Sequence, residues 1–205
     1  MPSQPLYLLF AGVNGAGKST LYRSGLWQRN APAPEIPRVN PDEIIAARGW
    51  NWADPAHQLL AGKEAVRLIR GHLAAGRSFN QETTLSGRSA LRVIRDAHER
   101  GYRVVMHYVG VESPQIANAR IAHRASCGGH FVDPALVERR WEASLANLRQ
   151  ALPLCDEANL FDNTGLLTHV ACAQRGTLIE SNRDAAAATW HQKVIDSLAS
   201  KEGTT

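Results

Sequence analysis

The segment with the clearest chemical potential lies near the start of the sequence, where residues 12–19 read GVNGAGKS. These residues fit the pattern G-x-x-x-x-G-K-[ST] without a mismatch. In that pattern, small residues turn backbone N–H groups inward on phosphates, the lysine reaches the β- and γ-phosphates, and the hydroxyl binds Mg²⁺. A chance glycine-rich turn is the alternative, and the position between an apolar strand and a helix argues against it. The sequence therefore predicts a triphosphate site formed by Gly12, Asn14, Gly15, Ala16, Gly17, Lys18, Ser19 and Thr20, with Ser19 as the Mg²⁺ ligand.

A carboxylate at Asp42 could act on the molecule that receives the phosphoryl group. The segment RVNPDEI places Asp42 just after a short predicted strand, on the carboxyl edge of the sheet where ligands collect. A carboxylate there can accept the proton of an attacking hydroxyl, which is typically worth about 10²–10⁴ in rate. The alternative is that Asp42 and Glu43 only complement the dipole of a helix that begins at Pro41. Both interpretations stay open on the sequence alone.

The segment FNQETTLSG predicts a second polar strand end. Glu82 lies near the end of an otherwise apolar or neutral strand at 78–83, beside Thr83. A carboxylate in this place can hold a metal-bound water or a substrate hydroxyl. The alternative is a surface turn with Ser86 as the cap of the next helix, which accounts for Ser86 but not for Glu82. Residues 85–87 also resemble the start of an ABC-transporter signature, but the next strand lacks the aspartate that this signature requires.

Arginines cluster around the polar segment RASCGGHF. Arg120 and Arg124 are one helical turn apart, so both side chains project from one face, and Arg139 and Arg140 lie on the following helix. In phosphoryl transfer an arginine on the moving group can be worth about 10³–10⁵, and a glycine-hinged segment that carries arginines suits a lid. A solvated basic face is the alternative for each arginine.

Three residues in this region, His123, Cys127 and His130, could suggest zinc. No fourth ligand lies at a finger-like spacing, which disfavours a zinc site. A contact between His130 and substrate or phosphate fits the pattern better.

The elements that must position these residues follow from alternating strand and helix patterns. They predict an α/β fold with a mostly parallel sheet flanked by helices, a helical lid and a small C-terminal hairpin that turns near Arg175-Gly176. The Asp54-Pro55 pair predicts the start of a helix whose apolar stripe contains Leu59, Val66, Ile69 and Leu73. With no linker or repeat in view, we expect one domain over residues 1–205, with the lid at about 113–140.

The composition narrows the class of partner. The sequence has 23 Lys+Arg and 19 Asp+Glu residues, a net charge of +4, which suits an anionic substrate but is too small and scattered for a nucleic-acid binder. No apolar run is long enough to span a bilayer, so no membrane partner is expected. Three cysteines and the lack of a secretory leader predict a cytoplasmic, reduced protein.

In their order along the chain, these segments resemble the zeta-toxin family of P-loop kinases, and most of all its short stand-alone branch. The resemblance covers GVNGAGKST at 12–20, VNPDEI at 39–44, ETTLSG at 82–87, GYRVVMHYVGVESP at 101–114, RIAHRASCGGHFVD at 120–133 and FDNTG at 161–165. Two features depart from the larger toxins. Asn40-Pro41 precedes the aspartate where they carry a different pair, and His130 stands near the position of a further basic lid residue.

The resemblance implies a P-loop kinase that uses ATP and Mg²⁺ to phosphorylate the sugar 3′-hydroxyl of UDP-N-acetylglucosamine. It makes Lys18 the ligand of the ATP phosphates and Asp42 the catalytic base. By the same resemblance Glu82 and Thr83 contact the UDP-sugar, and Arg120 or Arg124 supplies the lid arginine. It also implies an antitoxin protein as a possible partner.

The same fold supports other functions, which are alternatives to a UDP-sugar kinase. One is a kinase of another small metabolite, such as a nucleoside, a sugar acid or an antibiotic. Another is a nucleotide-binding regulator of a toxin–antitoxin type, for which Asp42 would be dispensable. A polynucleotide kinase is disfavoured by the modest charge, because tight DNA binding needs many clustered phosphate contacts.

Overall fold

A mixed β-sheet lies at the centre of the structure, a computed structural model that describes residues 4–29, 36–182 and 189–199. Within these ranges the sheet has seven strands in the order β2-β3-β1-β4-β5-β6-β7. The strands are β1 (Leu6–Ala11), β2 (Arg38–Val39), β3 (Phe79–Thr83), β4 (Arg103–Gly110), β5 (Glu157–Asp162), β6 (Thr168–Gln174) and β7 (Thr177–Ser181). Neighbouring strands from β2 to β5 are parallel, whereas β6 and β7 are antiparallel. The predicted α/β fold with a mostly parallel sheet and a C-terminal hairpin is confirmed.

Helices cover both faces of this sheet. They are α1 (Lys18–Ser24), α2 (Pro41–Ala47), α3 (Pro55–Ala75), α4 (Arg88–Glu99), α5 (Pro114–Ser126), α6 (Pro134–Ala151) and α7 (Trp190–Ala199). Proline follows the cap at the start of α2, α3, α5 and α6, where its missing N–H costs nothing. None of the helices within the described ranges combines the length and the hydropathy needed to cross a bilayer.

The strand order reverses at β1, which lies between β3 and β4. In an open parallel sheet the crevice beyond the strand ends at such a point is the usual place for a ligand. The segments that follow β1, β2 and β3 all leave the sheet at this edge. The phosphate loop, the start of α2 and Glu82 therefore meet at one end of the sheet.

The core consists of two apolar layers, one on each face of the sheet. Side chains alternate along β1, so that Tyr7 and Leu9 pack with α3, α4, α6 and α7 on one face. Leu8 and Phe10 pack on the other face with Leu21 of α1 and with α5. Strands buried on both faces explain the continuous apolar runs in the sequence.

The apolar stripe predicted for α3 is partly wrong. Ile69 and Leu73 are buried, but Leu59 is 59% exposed and Val66 is 44% exposed. The small residues Ala61 and Ala65 face the core in their place. Helical spacing identified a face of the right width, but the buried face is set by what α3 packs against, which is α2 as well as the sheet.

The starts of α4 and β3 also differ from the sequence interpretation. The residue that caps α4 is Gly87, and the Ser86 hydroxyl instead lies 2.8 Å from the Thr84 hydroxyl. Strand β3 begins at Phe79 and not at Ser78, whose hydroxyl accepts a hydrogen bond from the backbone N–H of Leu6. In both places a serine hydroxyl bonds a neighbouring group instead of the position that the sequence interpretation gave it.

Candidate active site

The phosphate loop, residues 12–19, joins β1 to α1 with little space around it. Gly12 and Gly15 have positive φ angles of 136° and 77°. A Cβ at Gly12 would lie 2.1 Å from the carbonyl oxygen of Val109, and one at Gly15 would lie 2.5 Å from that of Ala117. Only glycine therefore fits at these two positions, and the loop lies close against β4 and α5.

Lys18 is buried at the start of α1, with 7% of its surface exposed. Its ammonium group donates to the carbonyl oxygen of Val13 at 3.1 Å and lies 3.8 Å from a carboxylate oxygen of Glu82. Burial lowers the pKa of Lys18, and the nearby carboxylates of Glu82 and Asp42 oppose this shift. An ammonium group with a single carbonyl acceptor keeps donors for further oxygens. Lys18 and the loop thus fit the phosphates of a nucleotide.

The side chains of Ser19 and Glu82 lie next to each other at the N-terminus of α1. The Ser19 hydroxyl is 3.2 Å from each carboxylate oxygen of Glu82. Mg²⁺ in nucleotide sites takes one or two carboxylate or hydroxyl oxygens and completes its shell with phosphates and water. The pair is therefore a suitable set of oxygen donors for such an ion.

Arg38 of β2 fixes the Glu82 carboxylate, a contact that sequence reasoning missed. Its guanidinium group bonds Glu82 at 2.5 Å and Glu43 at 2.7 Å, and lies 3.8 Å from the ring centroid of Tyr22. The side chain of Arg38 is only 10% exposed. The sequence signal for this contact is an arginine four residues before Asp42. It lies on a strand that neighbours the one carrying Glu82.

Asp42 is the second residue of α2 and faces the phosphate loop. The Asn40 side chain caps the helix by accepting the backbone N–H of Asp42 at 3.0 Å. Burial raises the pKa of Asp42; Glu82 adds to this shift, whereas His130, Lys18 and Arg124 oppose it. A half-buried carboxylate with a raised pKa is suited to take up a proton. Its place in the first helical turn also complements the helix dipole, so both sequence interpretations fit the position.

The lid arginines diverge instead of stacking together. Arg120 donates to the carbonyl oxygen of Thr164 at 3.3 Å, and its second terminal nitrogen, Nη1, is buried without a hydrogen-bond partner among the described residues. Arg124 donates to the backbone oxygen of His130 at 3.2 Å and is equally close to its Nε2. The His130 ring stacks on Trp52 with centroids 4.4 Å apart. Arg120 thus belongs to the nucleotide side of the cleft and Arg124 to the side of Asp42.

Two further residues contact the phosphate loop directly. Arg140 of α6 donates to the Asn14 side chain at 2.8 Å, and Asn163, just after β5, donates to the carbonyl oxygen of Ala16 at 2.7 Å. Asn163 lies within the FDNTG segment on which the family resemblance partly rests. The sequence did not distinguish Arg140 from its neighbour Arg139, which is exposed and does not line the cleft.

One cavity of about 780 Å³ joins the two halves of the predicted site. It is lined by twelve of the predicted residues: Asn14, Gly15, Gly17, Lys18, Ser19, Thr20, Asp42, Glu82, Thr83, Arg120, Arg124 and His130. Gly12 and Ala16 also belong to the loop but do not line the cavity, because both are buried. The volume is toward the upper end of the roughly 300–1,000 Å³ usual for small-molecule sites. The cleft can therefore hold a phosphate chain and a second molecule beside Asp42.

The residues considered for zinc do not form a cluster. Within the described part of the chain, no group of three or more His, Cys, Asp or Glu side chains is arranged to hold a metal ion. Cys127 is exposed, and His130 is engaged by Arg124 and Trp52.

Comparison with known proteins places the cleft in a family context. The sequence model of the AAA domain family matches residues 8–151, which include the phosphate loop, Asp42, Glu82 and the lid arginines. An uncharacterized protein of Haemophilus influenzae is 34% identical over 135 residues, which cover 65% of this chain and 91% of that protein.

Solved structures share the fold at low sequence identity. A chain of the AvrRxo1-ORF1:-ORF2 complex with ATP superposes with a TM-score of 0.70 at 16% identity, covering 95% of this chain and 64% of that chain. The PezAT chromosomal toxin–antitoxin system of Streptococcus pneumoniae provides a second match, with a TM-score of 0.58 at 15% identity, covering 98% and 85%. At such identities the likeness shows a common fold and no more.

Proposed function

The chain belongs to the AAA domain family and has a P-loop kinase-like fold, and from this premise we propose that it is an ATP-dependent kinase of a small hydroxyl-bearing acceptor. The acceptor that suits the site best is a nucleotide-activated sugar, with UDP-N-acetylglucosamine as the leading candidate. The observation that carries the proposal is that Lys18 and Asp42 line one cavity from opposite elements. A protein that only binds a nucleotide needs no such carboxylate, and one that only hydrolyses it needs room for a water rather than for a second molecule.

On the nucleotide side, the phosphate loop and Lys18 would hold the β- and γ-phosphates of ATP. Ser19, beside the Glu82 carboxylate, would hold Mg²⁺, and the ion would supply positive charge to offset that of the phosphates. Asn163 keeps the loop in shape through the Ala16 carbonyl. A positioned ammonium group and backbone dipoles need no reorganisation when charge shifts during transfer.

On the acceptor side, Asp42 accepts the proton of the attacking hydroxyl. The new bond forms between the acceptor oxygen and the γ-phosphorus, the bond from that phosphorus to the bridging oxygen breaks, and ADP leaves with the electron pair. The proton remains on the Asp42 carboxylate until solvent removes it. Glu82 and Thr83 lie next to this position and would orient the sugar.

Residues 113–140 would act as the lid of this cleft. They include α5, the start of α6 and the loop between them, and they contribute Arg120, Arg124, His130 and Arg140 to the cavity lining. Arg120 and Arg140, which both line the cleft, would contact the transferred phosphoryl group and its oxygens. Arg124 and His130 face Asp42 and suit an anionic acceptor.

The test is phosphorylation of a panel of UDP-sugars by the purified protein with ATP and Mg²⁺, followed by mass spectrometry of the products. We expect a phosphorylated UDP-sugar with the wild type and a loss of at least about 10²-fold in kcat for Lys18→Ala and for Asp42→Asn. Glu43→Gln is the matched control, because it removes one negative charge from the same helical turn at a residue that does not line the cleft. The glutamine side-chain oxygen can still accept the hydrogen bond from Arg38.

Near-normal turnover of Asp42→Asn, or equal losses in Asp42→Asn and Glu43→Gln, would show that the carboxylate serves only the helix. Modification of another metabolite but of no UDP-sugar would keep the kinase and reject the acceptor.

An antitoxin partner is a second proposal, supported by the fold shared with the PezAT toxin–antitoxin system. If phosphorylation of a cell-wall precursor is harmful, expression of the wild type should slow bacterial growth, whereas Lys18→Ala should not. Equal growth of both strains at equal protein level would remove the reason to look for an antitoxin.

A further inference from the structure

A second, open pocket of about 550 Å³ lies along the exposed side of α3, and all of the described residues that line it belong to this helix. It is lined by Leu59, Gly62 and Val66 together with the cationic residues Lys63, Arg67 and Arg70, and by Gln58. We name this surface the α3 groove. The apolar side chains that the sequence assigned to the core therefore lie in a groove that is open to solvent.

The α3 groove is continuous with the catalytic cleft. Gln58, Gly62 and Val66 line both cavities, so the groove leads out of the cleft on the side of Asp42. A molecule that places a hydroxyl at Asp42 and extends away from the phosphate loop would pass over these three residues.

Gly62 lies where the two cavities meet, in the interior of a 21-residue helix. Glycine in a helix interior costs roughly 0.5–1 kcal/mol relative to alanine. A Cβ at Gly62 would meet nothing within 4 Å, so no contact within the described residues requires glycine there. Gly71 of the same helix has equally free space but lies on neither cavity, which makes it a matched reference position.

The charges along the groove favour an anionic occupant. Arg67 is paired with Glu64 at 2.7 Å, but Lys63 and Arg70 form no ion pair with any other described residue. Cations beside exposed apolar surface suit a ligand that combines phosphate groups with a flat or apolar part.

We propose that the α3 groove is the distal acceptor subsite, which takes the phosphate-bearing far half of the acceptor while its sugar hydroxyl lies at Asp42. This inference rests on the proposed kinase activity and adds a requirement to it. The acceptor must be elongated and anionic beyond the reacting sugar, so a free sugar leaves the subsite empty. A nucleoside diphosphate sugar has that form.

The experiment compares Gly62→Leu with Gly71→Leu. Leucine favours helix formation at both positions, but only at position 62 does the new side chain project into the groove. We expect Gly62→Leu to weaken equilibrium binding of UDP-N-acetylglucosamine, measured by calorimetry without ATP, by at least about tenfold. Gly71→Leu should stay within about twofold of the wild type, and thermal unfolding should show that both variants are folded.

Acceptor length provides a second measurement with the wild type. The KM of N-acetylglucosamine 1-phosphate should exceed that of UDP-N-acetylglucosamine by at least about tenfold, and Lys63→Gln with Arg70→Gln should narrow this gap. Equal KM values for the two acceptors, or equal binding by the two leucine variants, would overturn the subsite and leave the groove to a protein partner. Failure of the wild type to phosphorylate any UDP-sugar is the separate outcome that rejects the proposed acceptor, and the subsite with it.

Discussion

At the scale of single residues, the site depends on how the charged groups at its centre are held. Lys18 and Glu82 are both nearly buried. Among the described residues the Lys18 ammonium donates a hydrogen bond only to Val13, whereas Ser19, Arg38 and Asn40 all hydrogen-bond the Glu82 carboxylate. No arginine within the described residues bonds the Asp42 carboxylate, and burial raises the pKa of Asp42.

The pH profile of the proposed kinase activity should report this environment of Asp42. Transfer needs the ionised carboxylate, and burial raises its pKa above the usual value of about 3.9. Activity should therefore rise with pH through an acid limb that lies above that value. The measurement is kcat/KM for the acceptor between pH 4.5 and 9.

Asp42→Glu should keep an acid limb at reduced rate, and Asp42→Asn should abolish it. An unchanged acid limb in the residual activity of Asp42→Asn would assign the titration to another group.

At the scale of elements, β4 carries a histidine in the apolar core. His107 is fully buried beside Phe10, Trp27 and Phe161, and neither ring nitrogen has a hydrogen-bond partner among the described residues. Burial lowers the pKa of His107 to about 3, so the neutral ring behaves as an aromatic core residue. Its sequence position within YRVVMHYVGV had indicated a strand residue and nothing about its partners.

His107→Phe should make the free energy of unfolding depend less on pH below about pH 6.5. Below an unfolded-state pKa of about 6.5 the unfolded chain binds a proton that the native His107 does not, so stability falls as pH falls from about 6.5 toward 3. This residue alone contributes a slope of up to about 1.4 kcal/mol per pH unit within that window. Urea unfolding at pH 8, 6 and 5 measures it.

His123→Gln is the control, because that exposed histidine on α5 lies outside the core. Parallel pH profiles of the wild type and His107→Phe would contradict the assignment.

At the scale of the whole molecule, the C-terminal helix is joined to the sheet close to the phosphate loop. Trp190 of α7 donates its indole N–H to Asp162 at 2.8 Å, and a Cβ on Gly110 would lie only 2.3 Å from its ring. Asp162 is followed by Asn163, which contacts the loop at Ala16. The last helix therefore supports the strand end that positions the nucleotide side of the cleft.

Trp190→Ala should destabilise the protein by about 3–5 kcal/mol, because it removes a large buried ring and leaves Asp162 without one donor. Chemical denaturation measures the loss. Trp50→Ala is the control, since that ring is only half-buried and stacks on His57, and its loss should cost about 1 kcal/mol or less. Similar losses in both variants would mean that α7 contributes little to the stability of the sheet.

The sequence by itself determined the local features of this protein, because each depends on neighbours within a few positions. The phosphate loop follows from glycine and lysine spacing, the helix starts follow from Asp-Pro and Ser-Pro pairs, and the hairpin follows from its turn. Alternation of strands and helices was enough to predict the parallel sheet.

Only the tertiary structure decided which residues meet across the cleft. The contact of Arg38 with Glu82, the stack of Trp52 on His130 and the choice of Arg140 over Arg139 join elements that are far apart in the chain. The exposure of Leu59 and Val66 depends on which face of α3 packs against α2 and the sheet, and Ala61 and Ala65 occupy that face. Spacing along one helix carries no information about which face is buried, because that is set by the surface on which the helix packs.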